Sequence, residues 1–261
     1  MIELLEKCVS QFKEGYAEMR GHSRRVFSIT VKDGEVEKIT HGLNRGVCAR
    51  ILIDGSWGFS STTIINRENL LELVKDARSL ARSSKPAKRR FVKIAPVKPY
   101  EDYYETSMKR DPRKEDLDFL IKDVLEADKE AHSYSKNVVS SSISISVVDD
   151  DLYFVSSEGA KITQRIVRCF GGTSVIAKSQ GKIASAHESI GAQMGLEVFE
   201  KTPIREAVLE AAERAVRIVP KRVVPGGYYD VVLENKIVGL LAHEAVGHTA
   251  EADLVYGGSF L

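Results

Sequence analysis

Residues 138–148 read VVSSSISISVV. Apolar and small polar side chains alternate there one by one, the period of a strand that buries one face and wets the other. Working outward, the three aspartates at 149–151 read as a turn and 152–156 as a strand. Glu158-Gly159 turns again, and 161–178 and 182–190 supply more strand. Pro203 opens a helix through Val219, and Asp111-Pro112 reads as the N-cap and first-turn proline of a helix over 112–134.

The first third of the chain has the same order. Leu4, Leu5, Cys8, Val9 and Phe12 recur at helical spacing and predict an amphipathic helix over 2–13. Strands over 16–20 and 24–31 lead to Asp33-Gly34, residues that tolerate the positive φ of a type I′ hairpin, and 36–40 returns. A second hairpin, 46–53 and 57–62, turns at Asp54-Gly55. Asn66 caps a helix through Ser83, with Leu70, Leu71, Val74, Ala77 and Leu80 on its inner face. Residues 84–112 carry four prolines and read as a surface connection. Helix, strands, helix thus occurs twice, as an internal duplication or as one mixed sheet built in two passes.

After Val219 the character changes. Pro220, Pro225, Gly226 and Gly227 form a linker, 229–233 reads as a short strand and 235–252 as a helix. The fold class expected is α+β. An N-terminal domain over 1–220 has a mixed or antiparallel sheet with flanking helices, and 221–261 begins a second domain.

With 43% hydrophobic and 29% charged residues, the chain has the composition of a folded globular protein, not a disordered one. Thirty-eight basic residues against 37 acidic leave a net charge of +1. That is no basis for sequence-independent nucleic-acid binding, which draws on a basic excess. The short basic runs Arg24-Arg25 and 85–90 read as solvated surface. The three cysteines, Cys8, Cys48 and Cys169, are scattered and odd in number, which suits a reducing compartment. No apolar run is long enough to span a membrane, and the acidic N-terminus is no signal peptide. A soluble cytoplasmic protein is expected, with neither membrane nor nucleic acid as partner.

The last helix carries His243-Glu244-Ala245-Val246-Gly247-His248. Two neutral imidazoles can hold zinc, and an adjacent carboxylate can take a proton from metal-activated water. The spacing is HExxxH, however. At about 100° per residue, histidines five apart sit about 140° apart on a regular α-helix and do not face one metal. One extra residue in the turn repairs this, so the motif predicts a π-bulge, with Gly247 as the place where backbone angles depart from the helix.

The segment YDVVLENKIVGLLAHEAVGHTAEAD, residues 229–253, resembles the metal-motif helix of the TldD/PmbA family of zinc metallopeptidases. GVCARILIDGSWGFSST, 46–62, and FVSSEGAKITQ, 154–164, resemble the same family in the same order. The resemblance implies a cytoplasmic protein with an N-terminal α+β domain and a β-rich C-terminal domain. It implies cleavage of short or unfolded peptides, and pairing as a homodimer or as a heterodimer with a related subunit. By position it makes His243 and His248 the zinc ligands and Glu244 the general base.

Family members are nearly twice as long and place a further cysteine ligand in their C-terminal half. This chain stops at Leu261, so a truncated catalytic domain is expected. A catalytic zinc takes three protein ligands and keeps one open position. On an ideal helix Glu251 projects about 80° from His243, between the two histidines, as a third ligand or as a partner that orients an imidazole. Asp253, Cys48 and Cys169 stand as alternatives, although each cysteine also reads as a buried small hydrophobe. His187-Glu188 lies in a strand, where neighbours point to opposite faces, and reads as surface; Trp57 reads as core. The rival function is a catalytically inert N-terminal fragment or partner-binding module, which would expose apolar surface beyond residue 235. A direct effect on a DNA enzyme rests on an older family label, and the balanced charge does not support it.

Overall fold

The structure is a computed structural model that describes residues 1–10, 12–87, 91–221 and 224–259. The chain divides into two units, Met1–Lys221 and Arg222–Leu261.

The first unit contains, in chain order, α1 (Ile2–Val9), β1 (Tyr16–Lys32), β2 (Glu35–Ile53), β3 (Ser56–Thr62), α2 (Arg67–Ser83), β4 (Glu101–Glu105) and α3 (Asp118–Tyr134). It continues with β5 (Val138–Ser156), β6 (Lys161–Ser179), β7 (Lys182–Ala192), α4 (Val198–Lys201) and α5 (Ile204–Ile218). The strands form one seven-stranded sheet in the order β3-β2-β1-β5-β6-β4, with β7 also on β6. All pairs are antiparallel except β4 on β6. β4 takes residues 161–165 of β6 and β7 takes 169–179, so they share one edge end to end. The two passes therefore build one mixed sheet, joined where β1 meets β5.

Local chemistry sets the corners. Asp33 and Gly34 have φ of 50° and 86°, and Asp54 and Gly55 47° and 75°, the paired positive values of type I′ turns. The Asn66 side chain accepts from the backbone N–H of Asn69 and caps α2. The inner face of α2 is Leu70, Leu73, Ala77 and Ala81; Leu80 points outward.

The helices lie on one face of the sheet over two separate cores. Leu5, Cys8 and Val9 of α1 and Leu70, Leu73 and Ala77 of α2 pack on Ala17, Met19, Val47, Ala49 and Ile51. Leu120 and Val124 of α3 and Val208, Ala211 and Ala215 of α5 pack on Ile29, Ile143, Ile145, Val167 and Cys169.

Between the cores the sheet is polar, and there the sequence reading needs correction. Asp149, Asp150 and Asp151 make no turn: they lie inside β5, opposite Arg25, Arg24 and Ser23 of β1. Asp149 and Asp151 face the helices. Arg113 reaches Asp149 at 2.5 Å and Asp151 at 2.8 Å, Arg165 reaches Asp149 at 3.0 Å, and Arg25 reaches Asp151 at 3.0 Å. Asp150 faces the opposite side and takes His22 and Arg24. Carboxylates can sit in a strand interior when cations from other elements neutralise them, which no local pattern records.

Asp111 accepts from the backbone N–H of Arg113 and so caps a turn at Pro112 while also binding Arg165 at 2.5 Å, but α3 starts at Asp118 rather than 112. The surface connection over 84–112 holds β4, whose side chains are all exposed. α1 ends at Val9, short of 13. The segments 16–20 and 24–31 are one strand, as are 36–40 and 46–53.

Cys8 and Cys169 are buried, one in each core, and Cys48 is half-buried on β2. Burial pushes the Cys169 thiol up to about 12. Trp57 is half-buried, edge-on to Tyr16, and His187 is exposed.

The second unit holds α6 (Asn235–Ala242), a π-helical turn (His243–Gly247), a 3-10 turn (His248–Ala250) and α7 (Ala252–Gly257). Residues 229–233 form no strand, because no neighbouring strand exists among the described residues of this unit. No helix among the described residues is long and apolar enough to cross a membrane.

Candidate metal centre

The site is built on the turn that follows α6. There the backbone N–H of His248 donates to the carbonyl of His243, five residues back instead of four. This is the widened turn that the five-residue spacing demands. It brings the two imidazoles together, with ring centroids 4.6 Å apart and planes at 76°. One ligand atom from each of His243, Glu244 and His248 lies within 4.8 Å of the others.

Gly247 is not the distorted residue. Its φ and ψ are −57° and −56°, ordinary right-handed helix. A Cβ there would lie 3.9 Å from Ala242 O and from His243 Nδ1, plain van der Waals contact. The extra residue is absorbed by the shifted hydrogen bond over the whole turn, not by one glycine.

Glu251 also departs from the ideal-helix projection. The helix ends at Ala250, and Glu251 has φ −63° and ψ 137°, leading into α7. That kink turns its carboxylate back onto His248, where Oε1 lies 2.6 Å from Nδ1. The hydrogen bond and charge of Glu251 raise the His248 pKa, with Glu244 adding to the effect. A proton held on Nδ1 by a carboxylate leaves the Nε2 lone pair free to bind. Nε2 lies 3.8 Å from Glu244 Oε2. Asp253 turns to its own helix, accepting from the N–H of Leu254.

His243 and His248 fit as two of the three protein ligands that a catalytic zinc takes. With zinc–nitrogen bonds of about 2.0–2.1 Å, two donors on one ion stand at most about 4.2 Å apart. The side chains of Glu244 and His248 are 60% and 46% exposed, so small rotations close the gap. Sequence reasoning found the three residues through their spacing and chemistry. It missed the kink at Glu251, which leaves no local signal in the sequence.

A family model for the PmbA/TldA metallopeptidase domain 1 matches residues 17–81, and one for the PmbA/TldA metallopeptidase central domain matches 110–219. A metalloprotease of Methanocaldococcus jannaschii is 32% identical over 96% of this chain and 55% of its own length. A metalloprotease of Methanothermobacter thermautotrophicus is 31% identical over 93% of this chain and 52% of its own. The chain thus spans about half the length of these curated relatives.

Two solved structures share the fold. TldE from Thermococcus kodakarensis superposes with a TM-score of 0.61 at 16% identity, over 84% of this chain and 46% of that one. A protein described as a proposed modulator of DNA gyrase from Bacteroides thetaiotaomicron superposes with 0.70 at 16% identity, over 95% and 55%. The sheet, the helix that carries the motif and the two matching family models lead to one assignment: the chain belongs to the TldD/PmbA metallopeptidase family.

Proposed function

We propose that this chain supplies the metal-binding part of a zinc-dependent metallopeptidase acting on short or unfolded peptides. The observation that carries the reading is the π-helical turn that gathers His243, Glu244 and His248 within 4.8 Å. His243 and His248 would hold the ion, and Glu251 would fix the His248 ring through Nδ1. When bound, zinc supplies Lewis acidity to the water and to the scissile carbonyl. Glu244 is the base: its Oε2, beside His248 Nε2, takes the proton of the attacking water and returns it to the departing amine.

A second reading is a non-catalytic module that binds a related subunit. It draws on the exposed apolar side chains of the second unit, including Val232, Leu240, Leu241 and Val246. Pairing with a like or related subunit belongs to both readings.

Zinc per chain, by elemental mass spectrometry, tests the first. About one zinc in the parent and none in His248→Ala is the expected result, with Glu244→Gln keeping the metal and losing peptide hydrolysis. Equal cleavage by Glu244→Gln would remove that residue from the mechanism. No zinc in the parent would mean that the ligand set is split and that a ligand from outside this chain completes it.

A further inference from the structure

β3 stops at Thr62, opposite Val47, whereas β2 runs back to Glu35. Along residues 35–46 the outer edge of β2 pairs with no strand among the described residues. Such an edge offers a row of free N–H and C=O groups that an extended chain can join as a further strand.

Where that edge becomes free, a cleft of about 830 Å³ opens. It is lined by Arg20, His22, Arg24 and Arg45 with the hydroxyls of Ser61 and Thr62, and by no carboxylate or phenyl, phenol or indole ring among the described residues. Two buried carboxylates organise these cations. Glu18, its side chain 7% exposed, takes Arg20 Nε at 3.0 Å. Asp150, 2% exposed, takes Arg24 Nε at 2.7 Å and Nη2 at 3.0 Å, and His22 Nε2 at 2.6 Å. Arg50 and Arg168 share the same two acids at 3.5 and 3.3 Å. Four arginines on two carboxylates leave an excess of positive charge. The carboxylates grip Arg20 and Arg24 by their inner Nε edge, so outer guanidinium N–H groups remain for a ligand without the full entropy cost of ordering a free arginine.

We infer that this cleft and the adjoining β2 edge dock an extended acidic peptide segment. The segment lies in line after β3, its backbone pairs with β2, and its carboxylates meet the arginines. Nucleic acid is the competing occupant: His22 offers a ring to a base, but no phenyl, phenol or indole ring lines the cleft among the described residues. The inference uses only the first unit and is independent of any metal.

The test is fluorescence anisotropy with a dye-labelled octapeptide of alternating glutamate and threonine, at low and at physiological salt. Saturable, salt-sensitive binding is expected, at least tenfold tighter than that of the glutamine–threonine counterpart. Arg20→Gln, which leaves Arg50 on Glu18, should weaken it at least tenfold. N-methylation of alternate peptide nitrogens should do the same by blocking strand pairing. Three results would each overturn the proposal: no saturable binding, affinity unchanged in Arg20→Gln, or equal affinity of the N-methylated peptide. An oligothymidylate that binds as tightly and is lost in the same variants would replace peptide by nucleic acid.

Discussion

At the scale of single residues, Arg165 is the hub of the polar band between the two cores. It reaches Glu105 on β4 at 2.8 Å, Asp111 ahead of α3 at 2.5 Å and Asp149 on β5 at 3.0 Å, with its own side chain 10% exposed. Its hydrogen bond is the main cause holding the Asp111 carboxyl down at about 2, against an ordinary 3.8, while partial burial opposes it. A carboxylate whose folded pKa lies below its unfolded one stabilises the fold above the unfolded value, and that contribution drains as pH falls towards the folded one. Asp111 is 13% exposed, so solvent screening is limited, and its share is on the order of 2 kcal/mol. Urea midpoints should therefore fall between about pH 4 and 2, and Asp111→Asn should show a lower midpoint at neutral pH with a shallower acid slope. An unchanged slope would mean that Arg165 is satisfied without Asp111.

At the scale of elements, close approach decides what each helix tolerates. A Cβ on Gly58 of β3 would stand 1.9 Å from the carbonyl oxygen of Ala77 and 2.4 Å from the nitrogen of Ala81, so α2 rests its backbone directly on the strand. Gly58→Ala must push the helix away, at a cost at or beyond the about 1–3 kcal/mol of ordinary overpacking. A thermal melt should show a clear drop in midpoint, and an unchanged midpoint would refute the contact. Elements whose signals are local were legible in the sequence: the Asp-Gly hairpins, the Asn66 cap, the alternating β5 and the π-helical turn, which the five-residue spacing required. Elements that depend on distant partners were not. The aspartates of β5 resemble a turn until arginines more than a hundred residues upstream are brought beside them. β4 has no alternation because both its faces are exposed, and only β6 defines it. Glu251 looked helical because the kink that turns it onto His248 leaves no composition signal.

At the scale of the whole molecule, the two units differ in how they are held. The first has two hydrophobic cores, whereas no described residue of Val224–Ser259 is buried. Exposed backbone with few buried contacts is where proteases cut. Brief trypsin treatment should leave a resistant fragment ending at or just after Lys221, read by intact mass. Early cleavage inside the first unit, outside its exposed connection over 91–100, would mean that its polar band opens more readily than its paired strands suggest.

The two family segments, 17–81 and 110–219, divide this first unit on paper, but the sheet runs straight across the division. β1 comes from one segment and β5 from the other, and they pair residue by residue from Glu18–Ser156 to Lys32–Ser142. Neither segment is a free-standing module: each, alone, would carry a raw seam shaped only for the other. A chain nicked anywhere in the exposed stretch 91–100 should stay whole, and two halves made separately should knit together, as the torn edges of one sheet of paper do.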